Sequence, residues 1–275
     1  MNTPMSTTTN LRLCEHNPDN TSLLPDTGML RYLADRTRPD ILAALGEVSG
    51  GGEREPSDEH VQTCERIKSY LFTTKEVALH LGGPSPLVLL GYCDASYVTT
   101  GNCKSRLGSC LFINRDSGAF SNVSRNDTTV SHSSTEAEIK AIDMIAREIV
   151  YYRMILTFLG YEQQEPTKIY VDNKSAMDIC RTIKLSHKVR HVNVKVHYIR
   201  ELINQRVIQL IFIPTQFNVA DVLTKALIRS IHNRHSSILI YGHNCVADAN
   251  FEQFETYEYY ASQIEYNNDN DIVIL

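Results

Sequence analysis

Four carboxylates stand where short apolar runs end or helical segments begin: Asp94 in GYCDAS, Glu138 in SSTEAEI, Asp172 in IYVDNKSA and Asp221 in FNVADVLTKAL. A carboxylate at the end of an element can point outward and still be held rigidly. Several of them on one sheet edge form a hard, oxygen-rich nest suited to Mg²⁺. That is the ligand set for two-metal hydrolysis of a phosphodiester, in which ions about 4 Å apart activate the water and stabilise the leaving oxygen. The four acids are separated by 44, 34 and 49 residues, so no local motif unites them and only a fold can. Taken singly, each has a plainer reading. Asp94 and Asp172 suit turns at strand ends, Glu138 suits a solvated helix face, and Asp221 suits the positive end of a helix dipole. Glu136 lies two residues before Glu138 and so faces another side. It reads as a first-turn acid or a capping-box partner of an upstream serine.

The elements that must position these acids follow from periodicity. LVLLGYCD is a short apolar run ending in Asp94, and Leu107–Ile113 and Ala119–Ser124 read as two further antiparallel strands around the turn Asn114–Gly118. Ser133 and Ser134 precede a long helix whose stripe is Ile139, Ile142, Ile145, Ile149, Tyr152, Leu156 and Leu159, stopped by Gly160. Thr167–Val171 reads as a strand, Asn173–Ile183 and His191–Asn204 as helices, Val207–Ile213 as a fifth strand and Asn218–Ile228 as a closing helix. The order β-β-β-α-β-α-α-β-α predicts an α/β fold, a mixed five-stranded sheet flanked by helices. Upstream, Pro39 lies in the first turn of a short helix reaching Leu45, Ser49–Gly52 reads as a break, and His60–Phe72 carries apolar residues at helical spacing. Residues 1–28 read as a flexible leader and 230–275 as an acidic tail without an assigned role.

The chain has 275 residues, 42% of them hydrophobic, enough to build a core for a domain of about 140 residues. No apolar run approaches the roughly 18 residues of a membrane span, and no secretion signal opens the sequence. The seven cysteines form no CxxC pair and read as reduced thiols. An intracellular, cytoplasmic or nuclear protein is expected, not a secreted one. The net charge of −5 hides an uneven distribution. Residues 88–229 hold 18 Lys+Arg against 13 Asp+Glu, residues 1–87 hold 8 against 12, and residues 230–275 hold 1 against 7. Phosphate binding needs local positive charge, not a positive total.

GYCDAS, SHSSTEAEIKAI, IYVDNKSAMDI, RHVNVKVHYIRELI and IPTQFNVADVLTKAL together make residues 87–229 resemble the ribonuclease H domain of copia-type long-terminal-repeat retrotransposon Pol polyproteins. LRYLADRTRPDILAALGEVS and HVQTCERIKSYLFTTKEVALHLGG give residues 29–86 a fainter similarity to the connection segment between reverse transcriptase and nuclease. The resemblance implies a ribonuclease H-like fold in which the strands bearing Asp94 and Asp172 are neighbours. It implies an endonuclease that cleaves the RNA strand of RNA–DNA hybrids. Two Mg²⁺ ions, or Mn²⁺ in their place, would be held by Asp94, Glu138, Asp172 and Asp221. Glu138 is favoured over Glu136 because Glu138-Ile139-Lys140-Ala141 fits the family pattern. The expected partners are the hybrid and the rest of a parent reverse transcriptase. Ser96 and Asn173 are candidates for ribose 2′-hydroxyl contacts, with turn and helix-cap roles equally open. Lys188 and Arg190, in a basic stretch with Lys184, Lys195 and Arg200, either meet hybrid phosphates or form a solvated face. His187, His191 and His197 lack a cysteine or carboxylate that would complete a zinc set. The alternative is an inactive remnant serving only as a nucleic-acid-binding or protein-interaction module.

Overall fold

The computed structural model describes residues 3–8, 11, 14–50, 53–97, 104–182, 193–245, 264–266 and 272–274. Strands β1 (Leu90–Ser96), β2 (Arg106–Phe112), β3 (Ala119–Asn126), β4 (Thr167–Val171) and β5 (Ile208–Phe212) form one mixed sheet in the order β3-β2-β1-β4-β5. The first three strands pair antiparallel, and β4 and β5 run parallel to β1. This is the expected ribonuclease H-like mixed five-stranded sheet flanked by helices, with the strands of Asp94 and Asp172 adjacent. A further two-stranded ladder joins β6 (Ile264–Tyr266) and β7 (Ile272–Ile274).

Strand alternation sends side chains to two faces, and each face is covered. Cys93, Ala95, Leu107, Leu111, Ile169 and Val171 pack under α4 (Ser134–Phe158), α5 (Lys174–Arg181) and α6 (Asn193–Asn204). On α4 the stripe Ile139, Ile142, Ile145 and Ile149 is fully buried, whereas Leu159, placed in that stripe by periodicity, is 60% exposed because the helix ends just before it. Leu90, Tyr92, Cys110, Phe112 and Tyr170 face the opposite layer. That layer comprises α1 (Leu24–Arg36), α2 (Leu42–Ser49), α3 (Asp58–Thr73) and α7 (Arg229–Tyr241).

Three sequence expectations need correction. The closing helix over Asn218–Ile228 does not form. The segment is a 3₁₀ turn, Val219–Leu223, whose bonds run from Asp221 N–H to Asn218 C=O at 3.1 Å and from Thr224 N–H to Asp221 C=O at 3.1 Å. Tertiary bonds win over helix propensity there, because Asn218 Nδ2 donates to Cys93 C=O at 2.9 Å and the Thr224 hydroxyl donates to Asp94. The helix appears later, as α7, within the stretch read as tail. Ile238 and Leu239 of α7 join the core, and the buried His243 shares a 2.8 Å hydrogen bond with the Tyr92 hydroxyl of β1. Likewise α1 begins at Leu24, inside the stretch read as leader.

The layer formed by residues 24–73 is tied to the sheet by polar bonds as well. Arg106 of β2 is 2% exposed and pairs with Glu47 of α2 at 3.0 Å. A side chain at Gly46 would collide with its guanidinium, 2.0 Å from the position a Cβ would take. Arg38, Asp40 and Tyr70 make a buried network, with Arg38 donating to both Asp40 oxygens at 3.0 and 2.8 Å and Tyr70 to Oδ2 at 2.6 Å. Among the described residues no helix is long and apolar enough to cross a membrane.

Candidate active site

The β1–β4 register pairs Leu90 with Lys168 and Tyr92 with Tyr170. Beyond that register Asp94 stands on β1 and Asp172 directly follows β4, so the two acids emerge from neighbouring strands. Asp172 ends β4 and is hydrogen-bonded by Thr215. Glu138 reaches the pair from the first turns of α4. The start of that helix is set by Ser133, whose hydroxyl accepts from Glu136 N–H at 3.1 Å. Carboxylate oxygens of Asp94, Glu138 and Asp172 all lie within 4.8 Å of one another.

Glu136 is turned away from this cluster. One of its oxygens accepts from His132 N–H at 2.9 Å and the other pairs with Lys140 at 3.0 Å. Lys140 is buried, and Asp127, Thr129 and Ser131 complete its shell at 2.9, 3.0 and 3.0 Å, which fixes the loop leading into α4.

Asp221, expected as a fourth ligand, lies outside that three-acid set, on the 3₁₀ turn within electrostatic reach of Asp94. Its Oδ1 lies 2.9 Å from Lys225 Nζ, which is also 3.9 Å from Asp94 Oδ2. The turn can lie this close to the sheet because residue 108, directly opposite Asp94 on β2, is glycine. A Cβ there would stand 2.6 Å from Thr224 Cγ2 and 3.0 Å from Leu223 Cβ. Asn218, Thr224, Lys225 and Gly108 are the residues that sequence reasoning missed. The only trace they leave in the sequence is their nearness to Asp221 in FNVADVLTKAL, or a lone glycine in a strand.

Crowding acids out of water raises the cost of their charged forms. Burial, followed by Asp94 and Asp172, pushes the Glu138 carboxyl well above the ordinary range. Burial and then Asp94 raise Asp172, and burial and then Asp94 push Asp221 up to about 8 against the pull of Lys225. Burial opposes the charge on Lys225, but Asp94 and Asp221 outweigh it and hold its ammonium above the usual value. Glu138 Oε2 is buried without a hydrogen-bond partner. Hard oxygen donors, mutual repulsion and an orphaned buried carboxylate oxygen fit a divalent cation of the Mg²⁺ or Mn²⁺ kind.

The other expected contacts divide. Asn173 caps α5, its Oδ1 accepting from Ala176 N–H at 3.0 Å, and its side chain is half-buried. Ser96 ends β1, paired across from Arg106. Lys188 and Arg190, with Lys184, His187 and His191, lie outside the described residues. Lys195 is taken by Asp143 at 2.7 Å. Arg200 is buried and donates to the carbonyls of Ile179 and Cys180 at 3.0 and 3.3 Å, tying α6 to the end of α5. Arg200 is therefore structural, and Lys195 is engaged in a part-exposed ion pair. His197 is exposed.

Comparison with known proteins adds ancestry. No protein-family model matches the chain. It is 34% identical over 204 residues, 74% of its length, to the retrovirus-related Pol polyprotein from transposon TNT 1-94 of Nicotiana tabacum. It is 30% identical over 230 residues, 82% of its length, to the retrovirus-related Pol polyprotein from transposon RE2 of Arabidopsis thaliana. The matches span only 15% and 16% of those relatives' lengths. Among solved structures, LC11-RNase H1 isolated from compost is similar at 15% identity and a TM-score of 0.39, with 50% of this chain and 93% of that one covered.

Proposed function

Because the chain belongs to the retrovirus-related Pol polyproteins of transposons, we propose that it is the ribonuclease H segment of a copia-type polyprotein, a metal-dependent endonuclease that cuts the RNA strand of RNA–DNA hybrids. One observation carries this reading: acids 44 and 34 residues apart in sequence, Asp94, Glu138 and Asp172, meet within 4.8 Å at one edge of the sheet. Asp94 and Asp172 are the central ligands, rigid because both stand at the ends of adjacent parallel strands. Glu138 and Asp221 flank them from α4 and from the 3₁₀ turn. Mg²⁺ ions bound there supply an activated water and charge compensation at the leaving oxygen.

The protein's own contribution is placement. The Thr224 hydroxyl holds one Asp94 oxygen, and Thr215 holds Asp172. Asn173, next to Asp172, and Ser96, two residues beyond Asp94, are the candidates for ribose 2′-hydroxyl contacts that separate RNA from DNA, Asn173 through the amide nitrogen left over from its cap. The substrate is an RNA–DNA hybrid and the further partners are the remaining segments of a parent polyprotein. Lys188 and Arg190 belong to the basic stretch offered to its phosphates.

The test is cleavage of a labelled hybrid, with and without Mg²⁺ or Mn²⁺, by the parent chain and Asp172→Asn. The parent should cut only with metal. The variant should lose cleavage by at least about a hundredfold, an amide being a poor ligand for Mg²⁺, while its melting temperature without metal holds or rises because one of the crowded charges is gone. A variant that cuts at the parent rate removes Asp172 from the chemistry, and a parent inactive with both metals removes the nuclease reading.

A further inference from the structure

Lys225 and Lys140 are both lysines next to carboxylates, and their surroundings differ in kind. Lys140 is 8% exposed at its side chain and enclosed by two carboxylates and two hydroxyls. That is a permanent structural cation. The Lys225 side chain is 37% exposed. Its ammonium has two partners among the described residues, Asp221 Oδ1 at 2.9 Å and Asp94 Oδ2 at 3.9 Å. Both are acids of the candidate metal site. Among the described residues no neutral group anchors it, and its side chain stays partly open to water.

We propose that Lys225 is a built-in counter-ion of the carboxylate site, standing in ion-pair reach of Asp94 and Asp221 in the metal-free chain and withdrawing to solvent when a divalent cation binds. The inference rests on the metal reading of the site. Asp94, Glu138 and Asp172, drawn together by the fold with Asp221 beside them, repel one another before any metal arrives. A compact ammonium on a flexible four-carbon stem relieves that repulsion without a fixed geometry. Part-exposed ion pairs are individually weak, so a doubly charged ion that uses the same oxygens can displace this one. Lys225 is thus a positioning residue: it keeps Asp221 and Asp94 assembled, and metal binding includes the work of moving it.

Two measurements on the full chain, without nucleic acid, test this. Isothermal titration with MgCl₂ should show Lys225→Met and Lys225→Gln binding Mg²⁺ about threefold to tenfold more tightly than the parent, because no cation need be displaced. In EDTA both variants should melt below the parent. That loss should shrink at saturating Mg²⁺, and it should shrink when Asp221→Asn is combined with either variant. Unchanged or weaker Mg²⁺ affinity in both variants, with the parent binding normally, overturns the proposal and leaves the nuclease reading standing. A melting loss equal in EDTA and in Mg²⁺, and equal in both Asp221 backgrounds, marks Lys225 as merely structural and also overturns it. A parent that takes up neither Mg²⁺ nor Mn²⁺ overturns the displacement together with the metal reading.

Discussion

The acids of the site are set against one another, and Asp221 shows the consequence for pH. Its carboxyl is pushed up to about 8, by burial first and then by Asp94, from an ordinary value of about 4. An acid whose folded value is raised gives stability that is present at low pH and lost as pH climbs through the folded value. Relative to Asp221→Asn, the metal-free parent should therefore lose melting temperature as pH rises from about 4 towards 8. A cation needs the ionised carboxylate, so Mg²⁺ affinity should climb over the upper part of that window and level off above it. Titrations at pH 6, 7, 8 and 9 decide the point, and an affinity independent of pH would contradict it. At this scale the choice of Glu138 over Glu136 was legible through the family resemblance, whose pattern Glu138-Ile139-Lys140-Ala141 fits. Thr224 and Asn218 were not legible, since their bonds reach Asp94 and Cys93 across 130 and 125 residues.

At the scale of elements, the site depends on a turn lying flush against a strand. Gly108 makes that possible, since any Cβ there meets Thr224 and Leu223. Gly108→Val should lift the 220–224 turn off β2 and carry Asp221 away from Asp94. We expect a stability loss of about 1–3 kcal/mol, as for other overpacked sites, with Mg²⁺ affinity weakened alongside it. Calorimetric titration and thermal melting measure both, and a variant with parent affinity would show that the turn's seat does not matter. The strands β1 to β5 and the helices α3 to α6 were legible from period and caps. The helix expected over Asn218–Ile228 was not, because hydrogen bonds to β1 outweigh the local preference there.

At the scale of the molecule, both faces of the sheet are covered, one by α4 to α6 and the other by α1 to α3 and α7. Truncation therefore has two different outcomes. Ending the chain after Ile228 removes Ile238, Leu239 and His243 from the core and should abolish cooperative melting. Ending it after Cys245 keeps that core and removes seven acids and no Lys or Arg, taking the formal charge from −5 to +2. The shorter tail should then tighten binding to an RNA–DNA hybrid at low salt, with the gain fading as salt is raised, because phosphate contacts are salt-dependent. Equal hybrid affinity with and without residues 246–275 at low salt would show that the tail does not compete for the basic segment.

From sequence alone came the four acids as candidates, the order of the strands along the chain and the family resemblance. All of these are local patterns of residue type and spacing. Tertiary contacts were needed to show that Asp94, Glu138 and Asp172 come within 4.8 Å of one another and that Lys225 pairs with Asp221 and Asp94. Tertiary packing also decided that residues 229–245 belong to the core. Separation explains the difference: the β1–β4 register joins residues 78 apart, and the bonds that seat the 3₁₀ turn on β1 and His243 on Tyr92 join residues 125 to 151 apart. Such contacts leave almost no periodic trace in the sequence around either partner.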